Sequence, residues 1–180
     1  MESRPGILVT GFAPFQRFSI NPSWSSARAL AERFPRHIAA RLLPVDHLAA
    51  RTQLAVALEE LRPDACLCMG LAPSDVFHLE ERARKPAEFA GLPGPGELAA
   101  TWEWGEMESH LQRRGVPHVR STDAGQYVCE STFYSLLQFA AERAFPARAG
   151  FLHVPAISDC FTEQAIVEVV CDVFGGMLGP

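Results

Sequence analysis

No apolar run in this chain approaches the ~18 residues that a membrane-spanning helix needs. The opening residues, Met1-Glu2-Ser3-Arg4-Pro5, lack the apolar stretch of a secretory signal. Neither membrane insertion nor export is expected, and the expected location is the cytoplasm. Basic residues are not gathered either: no cluster is longer than a pair such as Arg113-Arg114, and the formal net charge is -5. A phosphate backbone is gripped by Lys and Arg concentrated on one face, so nucleic acid is not an expected partner. His37, His47, His78, His110 and His118 are scattered, without metal-ligand spacing such as H-x-x-x-H, so zinc chemistry has no support. Cysteines do not come in an even set: there are five, Cys66, Cys68, Cys129, Cys160 and Cys171. An odd count without a secretion signal argues against a disulfide framework.

What is present is an ordinary globular composition. Apolar residues make up 48% and charged residues 21% of 180, far from the disordered class. No internal repeat, low-complexity tract or linker divides the chain, so a single domain over residues 1–180 is expected.

Strand-like and helix-like segments alternate. Gly6 to Thr10 reads as a buried strand, and Asn21-Pro22 as a helix start with Asn as N-cap and Pro in the first turn. That helix runs toward Phe34, where Pro35 stops it. His37 to Leu43 reads as a second strand. Asp46 caps a helix to Leu61, in which Leu54, Leu58 and Leu61 recur on one face. Ala65 to Met69 is a third strand, ended by Gly70. Cys66 and Cys68 lie two apart in it, on one face, where thiols pack in a core. Val76 to Arg84 reads as a further strand near an edge, because Pro86 follows. Lys85 to Glu97 is an irregular loop rich in Pro and Gly. A helix is predicted over roughly Leu98 to Arg114, a strand over Val116 to Ser121, and a helix over about Val128 to Arg143. Phe151 to Val154 is a last strand, and Thr162 caps a terminal helix. Such alternation implies an α/β layered domain with a mostly parallel sheet. Sites in such sheets form beyond the carboxyl ends of strands, which directs attention to the loops after Val9, Met69, Arg120 and Val154.

Cys129 follows Asp123-Ala124-Gly125-Gln126-Tyr127-Val128, where the chain passes a glycine turn into a helix. The first turn of a helix has unpaired N–H groups and a positive dipole end, which favour a thiolate and can hold an oxyanion. A cysteine at a helix start is more often structural than catalytic, so this context does not decide alone. His153 lies inside the apolar strand Phe151-Leu152-His153-Val154, where a buried imidazole needs a partner. The alternative is a core histidine satisfied by a carbonyl. A carboxylate to orient the imidazole is offered by Glu80 and Glu81. Neighbours on a strand face opposite sides, so only one can serve, and spacing does not choose between them.

Together these segments resemble pyroglutamyl peptidase I, the pyrrolidone-carboxylate peptidase family of cysteine peptidases. Four blocks carry the resemblance. They are Leu8-Val9-Thr10-Gly11-Phe12-Ala13-Pro14-Phe15 with Asn21-Pro22-Ser23-Trp24; Gly70-Leu71-Ala72-Pro73 with Glu81-Arg82; Ser121 to Cys129; and Gly150 to Pro155. The resemblance implies a triad of Glu81, Cys129 and His153, since the family's acid directly precedes an Arg. It also implies a pyrrolidone pocket lined by Phe12, Phe15, Leu71 and Val128. The implied reaction is hydrolytic removal of an N-terminal pyroglutamyl residue from a peptide through a thioester. The reaction so implied needs no cofactor or metal, and the resemblance also implies a three-layer α/β/α sandwich around a twisted, mostly parallel (mixed) sheet and a homo-oligomer, commonly a tetramer.

The chain departs from the family pattern in places. Gln16-Arg17 stands where the family has a glycine pair, Glu130 where it has an Asn after the nucleophile, and the region Ala83 to Gly91 has no clear equivalent of a family Arg. The stretches from Lys85 to Glu108 and after Pro155 look shortened. A related amidase of altered specificity and a non-catalytic peptide binder are therefore the other two readings. A carboxylate at Glu130 facing the sulfur would raise the thiol pKa.

Overall fold

The computed structural model describes residues 5–15 and 18–179; Gln16 and Arg17 lie outside them. In chain order the elements are β1 Ile7–Phe12, α1 Pro22–Arg33, β2 Ile38–Leu43, α2 His47–Leu61, β3 Ala65–Ala72, β4 Phe77–Glu80, β5 Arg82–Arg84, β6 Glu97–Ala99, α3 Trp104–Arg113, β7 His118–Ser121, α4 Val128–Arg143, β8 Arg148–Pro155 and α5 Glu163–Leu178. A single 3₁₀ turn, Ala87–Phe89, follows β5.

Six strands form one mixed sheet in the order β2-β1-β3-β8-β4-β7. The first four are mutually parallel, β4 runs antiparallel to β8, and β7 runs with β4. Apolar side chains alternate between the two faces, as the pleat requires. Val9, Leu67, Met69, Leu152, Val154, Phe77 and Leu79 face a core shared with α1, α3 and α5. Leu8, Phe12, Cys66, Cys68 and Phe151 face a second core shared with α2 and α4. Helices thus cover both faces, which gives the expected three-layer α/β/α sandwich.

Local capping matches the expected helix starts. Asn21, Asp46 and Thr162 accept backbone N–H bonds from Ser23, Ala49 and Ala165. All five cysteines are free.

Four expectations are corrected. First, β3 does not end at Gly70 but continues to Ala72, because β8 runs beside it in register as far as Pro155. Second, β4 is not at an edge. It lies between β8 and β7, and the stretch to Arg84 divides at Glu81 so that β5 pairs with β6 in a separate two-stranded sheet. Pro86 lies beyond both strands, so its missing N–H interrupts neither ladder. Third, the helix expected from Leu98 starts only at Trp104, because Leu98 and Ala99 pair with β5 while Thr101 and Trp102 donate N–H bonds to Ala149. Fourth, β7 runs opposite to β1, β3 and β8, so its carboxyl end points away from theirs. The segment from Thr122 to Tyr127 carries the chain back to the rim where α4 begins.

Candidate active site

Residues 150 to 154 of β8 explain where His153 goes. Leu152 and Val154 are taken by the α1/α3/α5 core, so Phe151 and His153 must face the α2/α4 side. The antiparallel pairing of β4 sets His78 opposite His153 and Glu80 opposite Phe151. Phe77 and Leu79 are claimed by the first core, so His78 and Glu80 share the face of His153. Imidazole Nδ1 of His153 donates to Glu80 Oε1 at 2.7 Å, both side chains being buried. The second oxygen, Glu80 Oε2, is buried without a partner among the described residues.

This geometry corrects the choice of carboxylate. Glu81, just past the end of β4, points the other way and pairs with Arg120 at 3.3 Å on the surface. The dipeptide Glu81-Arg82 misled because it looks only at neighbours in sequence. The alternation Phe77, Leu79 against His78, Glu80 was the readable signal, since two apolar positions fix which face looks into the core.

Cys129 arrives from α4. This helix runs back toward the start of β8, so its first turn lies at the carboxyl end of β3 and β8. Gly70 makes the approach possible: a Cβ there would sit 2.8 Å from Cys129 Sγ and 2.9 Å from the Phe151 ring. The sulfur lies beside the His153 imidazole in the same cleft, close enough to act on its proton. Burial alone lowers the affinity of that ring for a proton. The Cys129 sulfur and then Glu80 outweigh burial and push the His153 pKa up to about 9. Near neutral pH the imidazole therefore carries its proton beside the sulfur.

The amides at the start of α4 are left unspent. Unlike α1, α2 and α5, this helix has no side-chain cap, its N-cap residue being Tyr127. The N–H groups of Glu130 and Ser131 turn to Tyr127 O, and no bond among the described residues takes those of Val128 or Cys129. Glu130 does not press on the sulfur, because its carboxylate accepts the backbone N–H of Arg84. Burial raises the Glu130 pKa, with the Arg84 N–H opposing.

A cleft of about 810 Å³ opens over these groups. Phe12, Phe15, Leu71, Val128, Cys129 and His153, all singled out from sequence, line it together, with Glu80 in place of Glu81. Phe12 is at once core and cleft wall, 2% exposed. Sequence reasoning passed over Phe18, whose ring stands 5.4 Å from that of Phe15, and His47 and His78. His47 Nδ1 lies 2.6 Å from Glu88 Oε1 and 2.8 Å from Ser131 Oγ, which ties α2 to α4 at the rim. Neither histidine had a motif around it to mark it. Among the described residues no group of three or more His, Cys, Asp or Glu could hold a metal ion, and no helix is long and apolar enough to cross a membrane.

Comparison with known proteins converges on one family. The model of the pyroglutamyl peptidase family matches residues 6–95 and 92–169. A pyrrolidone-carboxylate peptidase of Gloeobacter violaceus is 35% identical over 177 residues, covering 89% of this chain and 84% of the relative. One from Bacillus subtilis is 30% identical over 171 residues, covering 86% and 80%. The solved structure of a mutant pyrrolidone carboxyl peptidase from the hyperthermophile Pyrococcus furiosus superimposes with a TM-score of 0.84 at 26% identity, covering 96% of this chain and 97% of that one.

Proposed function

The chain belongs to the pyroglutamyl peptidase family, and on that premise we propose that it is a cysteine peptidase that hydrolytically removes an N-terminal pyroglutamyl residue from peptides. The observation that carries the reading is the line of Cys129 sulfur, His153 imidazole and Glu80 carboxylate on the floor of one cleft.

The roles follow from the chemistry of each group. Glu80 holds His153 by Nδ1–H, fixes the tautomer and stabilises the imidazolium. That leaves Nε2 to face the sulfur. The proton of Cys129 rests on His153 as imidazolium, and the thiolate attacks the pyroglutamyl carbonyl. The N–H groups of Val128 and Cys129 stabilise the oxyanion that forms. Imidazolium then protonates the departing amine, and water hydrolyses the thioester. A lactam ring has two apolar faces and a polar edge, which suits a slot walled by Phe12 and Phe15, with Leu71 and Val128 completing it. Phe18, its ring tilted 44° to that of Phe15, extends that wall.

The test is release of fluorophore from pyroglutamyl-7-amino-4-methylcoumarin. Wild type is expected to release it and Cys129→Ala to lose at least about a thousandfold in kcat, as removal of a covalent nucleophile does. Equal release by both proteins would end the proposal. Rapid iodoacetamide labelling of Cys129 without release would favour an amidase of other specificity.

The same reading carries a cytoplasmic location and a homotetramer. Leu48 and Val56, two turns apart on α2, are 72% and 51% exposed, and such apolar side chains suit self-association. Sedimentation equilibrium measures the assembly directly.

A further inference from the structure

His78 faces the same cleft and has no part in the reaction as described above. It lies directly opposite His153 across the β4–β8 pair, with ring centroids 6.2 Å apart and planes nearly perpendicular. Its tautomer is fixed by one neighbour. Ser74 Oγ donates its single hydrogen to Val76 O at 3.1 Å, so towards His78 Nε2, at 2.9 Å, it can only accept. Nε2 therefore carries the proton and Nδ1 is a bare lone pair. No described protein group bonds to Nδ1, and it is not among the buried unpartnered atoms, so it is open to solvent in the cleft.

Two histidines facing each other at this spacing suit one small molecule between them. A water accepting no protein proton can give one hydrogen to each ring, and centroids 6.2 Å apart leave room between the rings for one water held by two hydrogen bonds of about 2.8 Å that bend at its oxygen. We propose that His78 is the positioning residue for the hydrolytic water, accepting one hydrogen at Nδ1 while His153 takes the other. The inference rests on the peptidase reading given above.

In the step concerned, the amine has left and His153 is neutral. Water oxygen forms a bond to the acyl carbon of the pyroglutamyl thioester as its proton passes to His153 Nε2. The carbon–sulfur bond then breaks, its electron pair returning to Cys129 as thiolate. Pyroglutamate is released, and the thiolate–imidazolium pair is restored. Orientation by His78 acts only here, because no water takes part in forming the thioester. Burial lowers the His78 pKa, with Glu80 opposing and His153 adding to the fall, so the ring stays neutral and keeps its lone pair.

The test separates the two half-reactions. A pyroglutamyl 4-nitrophenyl ester acylates fast, so its steady state reports hydrolysis of the thioester, and the initial burst reports acylation. His78→Ala is expected to keep the burst, lose about tenfold in the steady state, and accumulate pyroglutamyl-enzyme detectable by intact mass, a loss of one oriented hydrogen bond. His78→Asn, whose amide oxygen reaches the place of Nδ1, is expected to recover most of the rate. Ser74→Ala frees the tautomer and is expected to fall between, with kcat/KM for the coumaryl amide unchanged. Should His78→Ala misfold, these two variants carry the test. Equal losses in burst and steady state, or no loss in the steady state, would overturn the role of His78 while leaving the peptidase intact. Absence of both burst and turnover in wild type would instead overturn the peptidase reading, and this inference with it.

Discussion

Two adjacent carboxylates, Glu80 and Glu81, meet opposite fates because a strand turns its side chains by half a revolution per residue. Glu80→Gln is expected to lower kcat by about a hundredfold or more, since the amide cannot stabilise the imidazolium. Glu81→Gln removes an exposed bond to Arg120, which also pairs with Glu108 at 2.7 Å, and is expected to leave kcat within about twofold. Steady-state kinetics on both variants decides it; the reverse order would restore Glu81. The raised pKa of His153 has its own signature. Cys129 outranks Glu80 as the cause, so in Cys129→Ala the imidazole resonance followed by NMR should titrate well below the wild-type value of about 9. An unchanged titration would show that the sulfur does not hold that proton. In wild type the pair loses its last proton near 9, so kcat/KM for the amide should fall on the alkaline side with that apparent value.

At the scale of elements, the helices were the more legible part of the sequence. Asn21, Asp46 and Thr162 announced three starts because a capping side chain is a local event, and Val128 to Arg143 was read at its full length. The strands β4, β5 and β6 were misread because partner choice is not local. Nothing near residues 77–80 says that β8 will pair with them antiparallel, and Pro86 suggested an edge that β7 occupies. Cys129 and His153 were found because each is an odd residue in a patterned context, a thiol at an uncapped helix start and an imidazole in an apolar strand. His47 and His78 lacked such contrast and gained meaning only from register. Gly70 is the hinge between element and site. Its replacement by Ala would push a methyl against Sγ and the Phe151 ring, and overpacking of this kind costs about 1–3 kcal/mol. Gly70→Ala should therefore lower both the denaturation midpoint and kcat, whereas loss of stability with full activity would show that α4 tolerates the shift.

Over the whole molecule, the proton on His153 links folding to pH. The folded chain holds it up to about 9, and an unfolded histidine releases it near 6.5. A raised value of this kind contributes stability that is complete below 6.5 and is lost as pH climbs through 9. Denaturant unfolding should show the advantage of wild type over Cys129→Ala narrowing across that window; an advantage that widened would reverse the assignment. The site is also assembled unequally. Cys129 and His153 belong to one consecutive helix–strand unit, α4 followed by β8, packed in the middle of the sandwich. Glu80 comes from β4, held outward of β8 by a short antiparallel ladder and then by β7, whose outer side has no neighbouring strand among the described residues. Peeling of that margin on warming would strip the carboxylate from an otherwise intact nucleophile and base. The enzyme should then idle before it melts, its turnover fading at temperatures where helical circular dichroism is still complete.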